Sequence, residues 1–306
     1  MTNDTFYGYH PLVNMLYFTV VLLFAMFFTH PVCLAVSLIC AFSYSVYLGG
    51  KKTLKFNLKY MLPMLIFAAL LNPAFNHQGG TILTYLPSGN PLTLESILYG
   101  IAAAVMLITV IAWFSCFNEI MTSDKFVYLF GRVIPALSLI LSMALRFVPR
   151  FISQIKVISN AQKCVGRDVS NGSIFSRAKN GIKILSIMVT WALENAIETA
   201  DSMKGRGYGL PGRSAFSIFR FDKRDAIALI YIVICAAYIL LGSITGGLEW
   251  RYFPTTQGTW TRSSADGVLP GLFIFLTYFA LCAMPLILNV KEDLKWRTLN
   301  NSGLKI

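Results

Sequence analysis

The sequence predicts an all-α polytopic membrane protein with about six transmembrane helices and long amphipathic cytoplasmic coupling helices. Two observations favour this fold class. Of the 306 residues, 56% are hydrophobic and only 13% are charged, whereas a soluble domain carries about 25% charged residues. The charged residues are also missing from long stretches of the chain, which indicates that these stretches lie in lipid.

The charge-free stretches locate the spans. Residues 5–50 contain no Asp, Glu, Lys or Arg. Because about 20 helical residues cross a bilayer, this stretch predicts two helices with a tight turn at His30-Pro31. Residues 60–94 begin apolar and become rich in Pro, Gly and Asn from Asn72 onwards, which predicts one short span and an outside loop. Three more spans are predicted in the charge-free runs 96–118, 226–248 and 267–290.

The placement of Lys and Arg predicts the orientation. All of these 26 residues lie in the loop 50–59, the segment 119–225 or the C-terminal tail, except Arg251 and Arg262. Because cytoplasmic segments carry the excess of Lys and Arg, we expect a multi-pass protein of the plasma membrane with both termini in the cytoplasm. We expect three regions: a four-span membrane region (1–118), a cytoplasmic or interfacial coupling-helix region (119–224), and a two-span membrane region with a cytoplasmic tail (225–306).

Several kinds of site are not expected. Five of the six cysteines lie in apolar runs and none forms a CxxC pair, so we interpret them as small buried side chains. The histidines are scattered, and we expect no metal site, cofactor or catalytic residue. No GxxxxGK[ST] motif occurs, so the chain is not expected to bind ATP itself. The net charge is +12, and the Lys and Arg residues that produce it lie beside predicted spans. This placement favours the lipid bilayer over nucleic acid as a partner.

The central segment predicts a first amphipathic helix. The apolar run 133–145 is too short to cross a bilayer and suits a helix at the membrane interface. It leads into a helical pattern whose apolar side holds Val148, Phe151, Ile152, Ile155 and Ile158. The helix is expected to end at Gly166-Arg167-Asp168.

A second amphipathic helix is predicted from about Arg177 to Met203. Its apolar stripe consists of Leu185, Val189, Ala192, Ala196 and Ala200, with Glu194, Glu198 and Asp201 opposite. It ends at Gly205-Arg206-Gly207. An arginine at a helix end can enter a groove on a partner and donate hydrogen bonds to carboxylates. The same arginines could instead complement the helix dipole or bind anionic lipid, and spacing alone leaves these alternatives open.

Four motifs, in order along the chain, resemble those of a known family. Residues 71–79 (LNPAFNHQG), followed by Thr93-Leu94-Glu95 and Tyr99-Gly100, are similar to an NP-F-HxG loop and the start of the next span. Arg146-Phe147-Val148-Pro149 is similar to an RF-P motif, and Ala161-Gln162-Lys163 to an AQ-basic motif. Residues 200–208 (ADSMKGRGY) are similar to A-x-x-M-x-A-R-G-Y. Together these motifs cover nearly the whole chain and resemble the T component of energy-coupling factor (ECF) importers, a branch of the ABC transporters that takes up vitamins and metals.

Two departures from the family pattern stand out. Gly205 replaces the usual Ala in the second coupling motif. In the first, Cys164-Val165-Gly166 stands where the family has an Ala-Arg-Gly-like triplet, and Arg167 lies further on. Either Gly166-Arg167-Asp168 makes the family's contact from a slightly displaced position, or that contact is made otherwise.

The resemblance implies a non-catalytic coupling subunit. It implies two cytoplasmic ABC ATPase subunits that hydrolyse ATP, and a small membrane-embedded S component that binds a vitamin or a transition-metal ion. The implied ATPase contacts are Gly205, Arg206 and Gly207 together with Gly166, Arg167 and Asp168. The implied start of the first coupling helix is Arg146, Phe147 and Pro149. The implied S-component face is Leu185, Val189, Ala192 and Ala196.

Two rival hypotheses come from other classes of protein. An integral-membrane lipid-modifying enzyme would need an acid/base pair or metal cluster at the interface, for which the row Glu194, Glu198 and Asp201 is the candidate. The simpler interpretation of that row is a solvated helix face. A self-sufficient carrier or channel is the other rival, and the absence of charged residues from the predicted spans argues against ion coupling within the chain.

Overall fold

The structure, a computed structural model, describes residues 4–85, 91–208, 210, 219–258 and 269–301. The described residues form nine α-helices: α1 (Pro11–Phe27), α2 (Pro31–Phe56), α3 (Leu62–Phe75), α4 (Leu94–Ile120), α5 (Ser123–Val133), α6 (Pro135–Cys164), α7 (Ile174–Gly205), α8 (Lys223–Ile244) and α9 (Leu269–Asn301). Two short antiparallel strand pairs join β1 (Ile82–Tyr85) to β2 (Pro91–Thr93), and β3 (Trp250–Arg251) to β4 (Gln257–Gly258). The predicted all-α fold class is confirmed.

Five helical segments in the described part of the chain are long and apolar enough to cross a membrane. They are Pro31–Lys51, Thr53–Phe75, Leu94–Ile120, Lys223–Ile244 and Leu272–Lys295. The apolar helix α1 is shorter, with 17 residues. At 1.5 Å per residue it extends about 26 Å, slightly less than the roughly 30 Å hydrocarbon core. All six expected apolar segments are therefore present as helix, and α1 is shorter than the five segments given above.

Two segments predicted as loops are largely helical. Where a loop was expected at 50–59, helix α2 is interrupted only at Gly50 (φ 60°). The chain then continues as helix to Phe56 and through a π-helical turn at Asn57–Met61 into α3. The lysines in this segment suggested a loop, but they also fit the end of a helix that leaves the lipid. The outside loop expected from Asn72 begins instead after Phe75, because Pro73 is accommodated in the last turn of α3.

The chain divides into two compact units: Met1–Thr122 together with Phe219–Ile306, and Ser123–Ile218. The first unit contains the six apolar helices, and its core is centred on Trp113 of α4. Tyr17 of α1 and Tyr44 of α2 lie with ring centroids 6.2 Å and 6.5 Å from Trp113. The Trp113 indole donates to Ser37 Oγ (3.0 Å), and the Tyr17 hydroxyl donates to the carbonyl of Cys282 in α9 (3.2 Å). These polar groups therefore have protein partners, as a lipid-embedded core requires.

The N-terminal segment closes one end of the first unit. The His10 N–H donates to Asp225 Oδ1 (3.1 Å) at the start of α8, and the Thr5 N–H donates to Asn289 Oδ1 (2.8 Å) in α9. The N-terminus, the start of α8 and the second half of α9 thus lie at the same end of this unit. This arrangement is compatible with both termini on one side of a membrane, and the side itself remains a prediction.

The second unit contains α5, α6 and α7. Helix α5 is an 11-residue helix that the sequence analysis did not predict. Helix α6 runs without a break from Pro135 through Pro149 to Cys164, so the interfacial helix expected at 133–145 is the first part of one 30-residue helix. Helix α7 has 32 residues, longer than predicted, and Ser173 caps its start by accepting from the Ser176 N–H.

Candidate functional site

Helices α6 and α7 pack against each other as an antiparallel pair. Phe151 of α6 meets Trp191 of α7 edge-to-face with ring centroids 5.7 Å apart, and the Arg150 guanidinium lies 5.5 Å from the centroid of the Trp191 ring. Just beyond the end of α6, the carbonyl of Asp168 accepts from the side chain of Asn180 (3.0 Å). Residues later in the chain on the α6 side therefore contact residues earlier in α7, which makes the two helices antiparallel. A small buried cluster completes the packing: Ile158, Ile184 and Met188.

The end of α7 presents Arg206 on a fixed backbone. Gly207 has φ +76°, a left-handed conformation that glycine adopts without steric cost. It allows the Gly207 N–H to donate to the carbonyl of Lys204 (3.0 Å), and the Tyr208 N–H to the carbonyl of Met203 (3.0 Å). This pair of bonds is the Schellman motif. Arg206 is the last residue before the left-handed glycine, and it is exposed.

The end of α6 has the same motif with a different side chain at the matching position. Gly166 has φ +77°, its N–H donates to the carbonyl of Lys163 (3.0 Å), and the Arg167 N–H donates to the carbonyl of Gln162 (2.9 Å). The glycine of the motif is therefore Gly166 in α6 and Gly207 in α7. Val165 occupies the place of Arg206 in the first motif. Arg167 lies beyond the glycine, where the second motif has Tyr208.

Asp168 organises the connection from α6 to α7. Its carboxylate accepts from the Ser170 N–H (3.0 Å), the Ser170 hydroxyl (2.5 Å) and the Asn171 side chain (3.2 Å). It also forms an ion pair with Lys163 at 3.7 Å. The hydrogen bonds from Ser170 hold the pKa of Asp168 below its ordinary value of 3.8. The carboxylate is therefore ionised at neutral pH and shapes this connection.

The residues predicted to start the first coupling helix lie inside α6. The helix begins at Pro135, so Arg146, Phe147 and Pro149 follow its first turns. Phe147 stacks on Phe151 with ring centroids 5.8 Å apart and the rings 15° from parallel. Phe147 therefore contacts the aromatic ring of α6 that meets Trp191, while Arg146 and Pro149 are exposed. Their role at the entry to a coupling helix remains a prediction.

The predicted apolar stripe of α7 does not pack on α6. Leu185 is 62% exposed and Val189 is 50% exposed. Ala192 is half-buried and Ala196 is exposed. The same face continues towards the start of the helix, where Ile182 is 69% exposed. Helix α6 also leaves part of its predicted stripe uncovered, namely Val148, Ile152 and Ile155.

The acidic row of α7 is solvent-accessible. Glu194, Glu198 and Asp201 are all exposed. Across the described residues, no group of three or more His, Cys, Asp or Glu side chains is arranged to hold a metal ion. Of the cysteines, only Cys164, the last residue of α6, is exposed, whereas the other five are buried as predicted.

The motif at 71–79 is built into the first unit through the start of α4. The Glu95 carboxylate accepts from the Thr81 hydroxyl (2.6 Å) and the Thr81 N–H (3.2 Å), and the Ser96 hydroxyl donates to the carbonyl of Asn76 (2.5 Å). Gly79 lies against this network, since a Cβ there would be 2.6 Å from a Glu95 oxygen. Gly100 similarly lies against α3, where its Cβ would be 2.7 Å from the carbonyl of Ala69. These residues therefore fix the loop and the α3–α4 contact.

The fold and the two capped helix ends define an integral membrane protein with an antiparallel pair of long helices whose apolar faces are partly uncovered. The family model for CbiQ, described as a cobalt transport protein, matches residues 9–218. The chain belongs to the CbiQ family. The family assignment made from the motifs, the T component of ECF importers, is confirmed by this match and by the relatives described next.

Several curated relatives carry the name energy-coupling factor transporter transmembrane protein EcfT. The one from Bacillus selenitireducens is 27% identical over 250 residues, covering 78% of this chain and 92% of that protein. The one from Staphylococcus aureus is 28% identical over 212 residues, covering 64% and 78%. The one from Lactobacillus helveticus is 33% identical over 114 residues, covering 37% and 41%. The chain thus matches less than half of the last relative's length and most of the first.

Proposed function

We propose that this chain is the transmembrane coupling subunit of an ECF-type importer, linking two cytoplasmic ABC ATPases to a small membrane-embedded S component that binds a vitamin or a transition-metal ion. The observation that carries this proposal is the exposed Arg206 at the capped end of α7. A guanidinium presents up to five N–H donors and matches a carboxylate in a bidentate pair. A 32-residue helix that ends in such a group is suited to transmit movement from an ATPase groove.

The uncovered face of α7 supports the second half of the proposal. Leu185 and Val189 are exposed neighbours on this stripe, and contiguous exposed apolar surface is typical of an interaction site. A membrane-embedded S component would cover this stripe with its own apolar surface. The small side chains of Ala192 and Ala196 further along the stripe would let a partner helix approach closely.

The proposed location is the plasma membrane, with the second unit and both termini in the cytoplasm. Cys164 provides a test in the unaltered chain, because it is the exposed cysteine and the other five are buried. A membrane-impermeant maleimide should label Cys164 in inside-out vesicles but not in intact cells. A Cys164→Ser variant controls for labelling elsewhere. Equal labelling of Cys164 in intact cells would place the helix ends outside and contradict the proposal.

The coupling role is tested by purifying the tagged chain from its native host in mild detergent and identifying the subunits that accompany it. Arg206→Glu reverses the charge at the end of α7 and should remove the ATPases while leaving the chain in the membrane. Val189→Asp places a charge in the exposed apolar stripe and should reduce the S component while leaving the ATPases. Uptake should fall in both variants.

Lys183→Glu is the matched control, since it reverses an exposed charge on the same helix away from its end. It should retain both kinds of partner. If Arg206→Glu retains its ATPases and takes up substrate normally, the end of α7 is not the coupling contact. If no ATPase accompanies the unaltered chain, the rival hypotheses of a self-sufficient carrier and a lipid-modifying enzyme gain support.

A further inference from the structure

The two Schellman motifs give a residue-by-residue match between the ends of α6 and α7. Lys163 matches Lys204, Cys164 matches Gly205, and the glycines of the two motifs match each other. Besides the small difference between Cys164 and Gly205, two larger differences in side chain remain. Val165 stands in place of Arg206, and Arg167 stands in place of Tyr208. The two ends therefore share a backbone and a lysine, but differ in the side chain that immediately precedes the left-handed turn.

The end of α6 is apolar where the end of α7 is cationic. Val165 is 66% exposed, so its apolar side chain is available to a partner. Beyond it, Arg167 is followed directly by the Asp168 carboxylate, which is also paired with Lys163. The negative charge of Asp168 directly follows Arg167 in the sequence and lowers the attraction of this turn to an acidic groove.

The two ends are also far apart. The connection after α6 contacts α7 at Asn180, and 26 residues of helix separate Asn180 from Arg206. At 1.5 Å per residue this corresponds to about 40 Å. One groove cannot accept both ends, so each end needs a docking site of its own.

We propose that Val165 is the specificity-determining residue of the α6 end, which docks on its ATPase subunit through an apolar contact. This inference rests on the proposed function. The groove for α7 supplies carboxylates to the guanidinium, whereas the groove for α6 supplies an apolar pocket that a guanidinium at position 165 would not fit. Asp168 positions the connection, and Arg167 makes no required contact.

The test is photo-crosslinking in the native host with its own ATPases. The photoreactive amino acid p-benzoyl-L-phenylalanine is introduced at Cys164 in one variant and at Gly205 in another. These are matching positions in the two motifs. Cys164 is exposed, and no atom lies within 4 Å of a Cβ built on Gly205. Mass spectrometry then identifies the captured polypeptide. We expect a polypeptide that contains a P-loop at each of the two positions.

Substitutions made beside the Cys164 probe test the chemistry of the contact. Val165→Glu should lower the crosslinked yield at least tenfold, because it places a charge in an apolar pocket. Val165→Ile and Arg167→Ala should each keep the yield within twofold. Correct insertion of each variant is checked by limited proteolysis of the membrane-embedded chain.

The outcomes separate this inference from the proposed function. A tenfold loss with Arg167→Ala while Val165→Glu retains the crosslink overturns the inference. Capture of an ATPase at Gly205 but none at Cys164 overturns the inference alone. Capture of no ATPase at Gly205 overturns the proposed function together with the inference.

Discussion

Replacement of Gly166 by alanine isolates the conformational part of the α6 cap. Gly166 has φ +77°, and no atom lies within 4 Å of a Cβ built there, so alanine meets no steric neighbour. The cost is that of placing an L-residue in the left-handed region, about 1–2 kcal/mol. This corresponds to a factor of roughly 5 to 30 in the population of the capped conformation. The Arg167 N–H, which donates to the carbonyl of Gln162, should exchange with solvent faster by that factor.

Hydrogen–deuterium exchange of the purified full chain in lipid nanodiscs measures this change in a peptide that covers the end of α6. Gly205→Ala is the matched control, because Gly205 lies within α7 and a Cβ there also meets no atom within 4 Å. Alanine is favoured over glycine in a helix by about 0.5–1 kcal/mol, so exchange at the end of α7 should slow or stay unchanged. If exchange at the end of α6 does not rise in Gly166→Ala, the left-handed glycine does not hold this cap. An equal rise at the end of α7 in Gly205→Ala would also refute the reasoning.

Two further predictions concern the α6–α7 pair. Trp191→Ala removes the edge-to-face contact with Phe151 and should destabilise the packing of the helix pair by about 3 kcal/mol, measured as faster hydrogen exchange along both helices. Leu193→Ala, at an exposed position, is the control and should have little effect. Similar changes in the two variants would contradict the assigned packing. The pKa of Asp168 is lowered by its hydrogen bonds from Ser170, so their stabilisation of the connection is present above pH 3.8 and is lost as the pH falls through the lowered pKa of the folded state. In the unaltered chain, hydrogen exchange of the Ser170 N–H, corrected for its intrinsic pH dependence, should become faster as the pH falls through this pKa. In Asp168→Asn the corrected exchange rate should not change with pH over the same range.

The apolar helices could be predicted because their signal is strong and local. Residues 5–50 have no charge, and two helices joined at His30 account for them. The boundaries were less accurate where one residue type suits two structures. Lysines at 51 and 55 indicate a loop as readily as the end of a helix, and Asn72-Pro73 fits the last turn of α3 as well as a loop. Helix α5 was missed because it is short and carries a mixture of charged and aromatic residues.

The geometry of the helix ends could not be read from the sequence. Residues 205–209 contain three glycines, and composition does not determine which of them adopts a left-handed conformation. The hydrogen bonds select Gly207, and the equivalent bonds select Gly166. Val165 therefore occupies the position in the α6 motif that Arg206 occupies in the α7 motif. In the sequence, Cys164-Val165-Gly166 stands where the family has an Ala-Arg-Gly-like triplet, but spacing alone did not decide whether Gly166-Arg167-Asp168 makes the family's contact from a displaced position.

The small core of the second unit bears on the proposed coupling function. In its described part, the buried apolar cluster between α6 and α7 consists of Ile158, Ile184 and Met188, although the helices have 30 and 32 residues. Most helical stability in proteins comes from packing an apolar face, so the pair has little stability to spare on its own. Burying a side chain such as Leu185 or Val189 contributes about 1.5–3 kcal/mol. Covering the stripe with a partner would therefore stiffen the same helices that carry the docking ends. Partner binding and mechanical coupling would then depend on one another, and neither would be complete in the isolated chain.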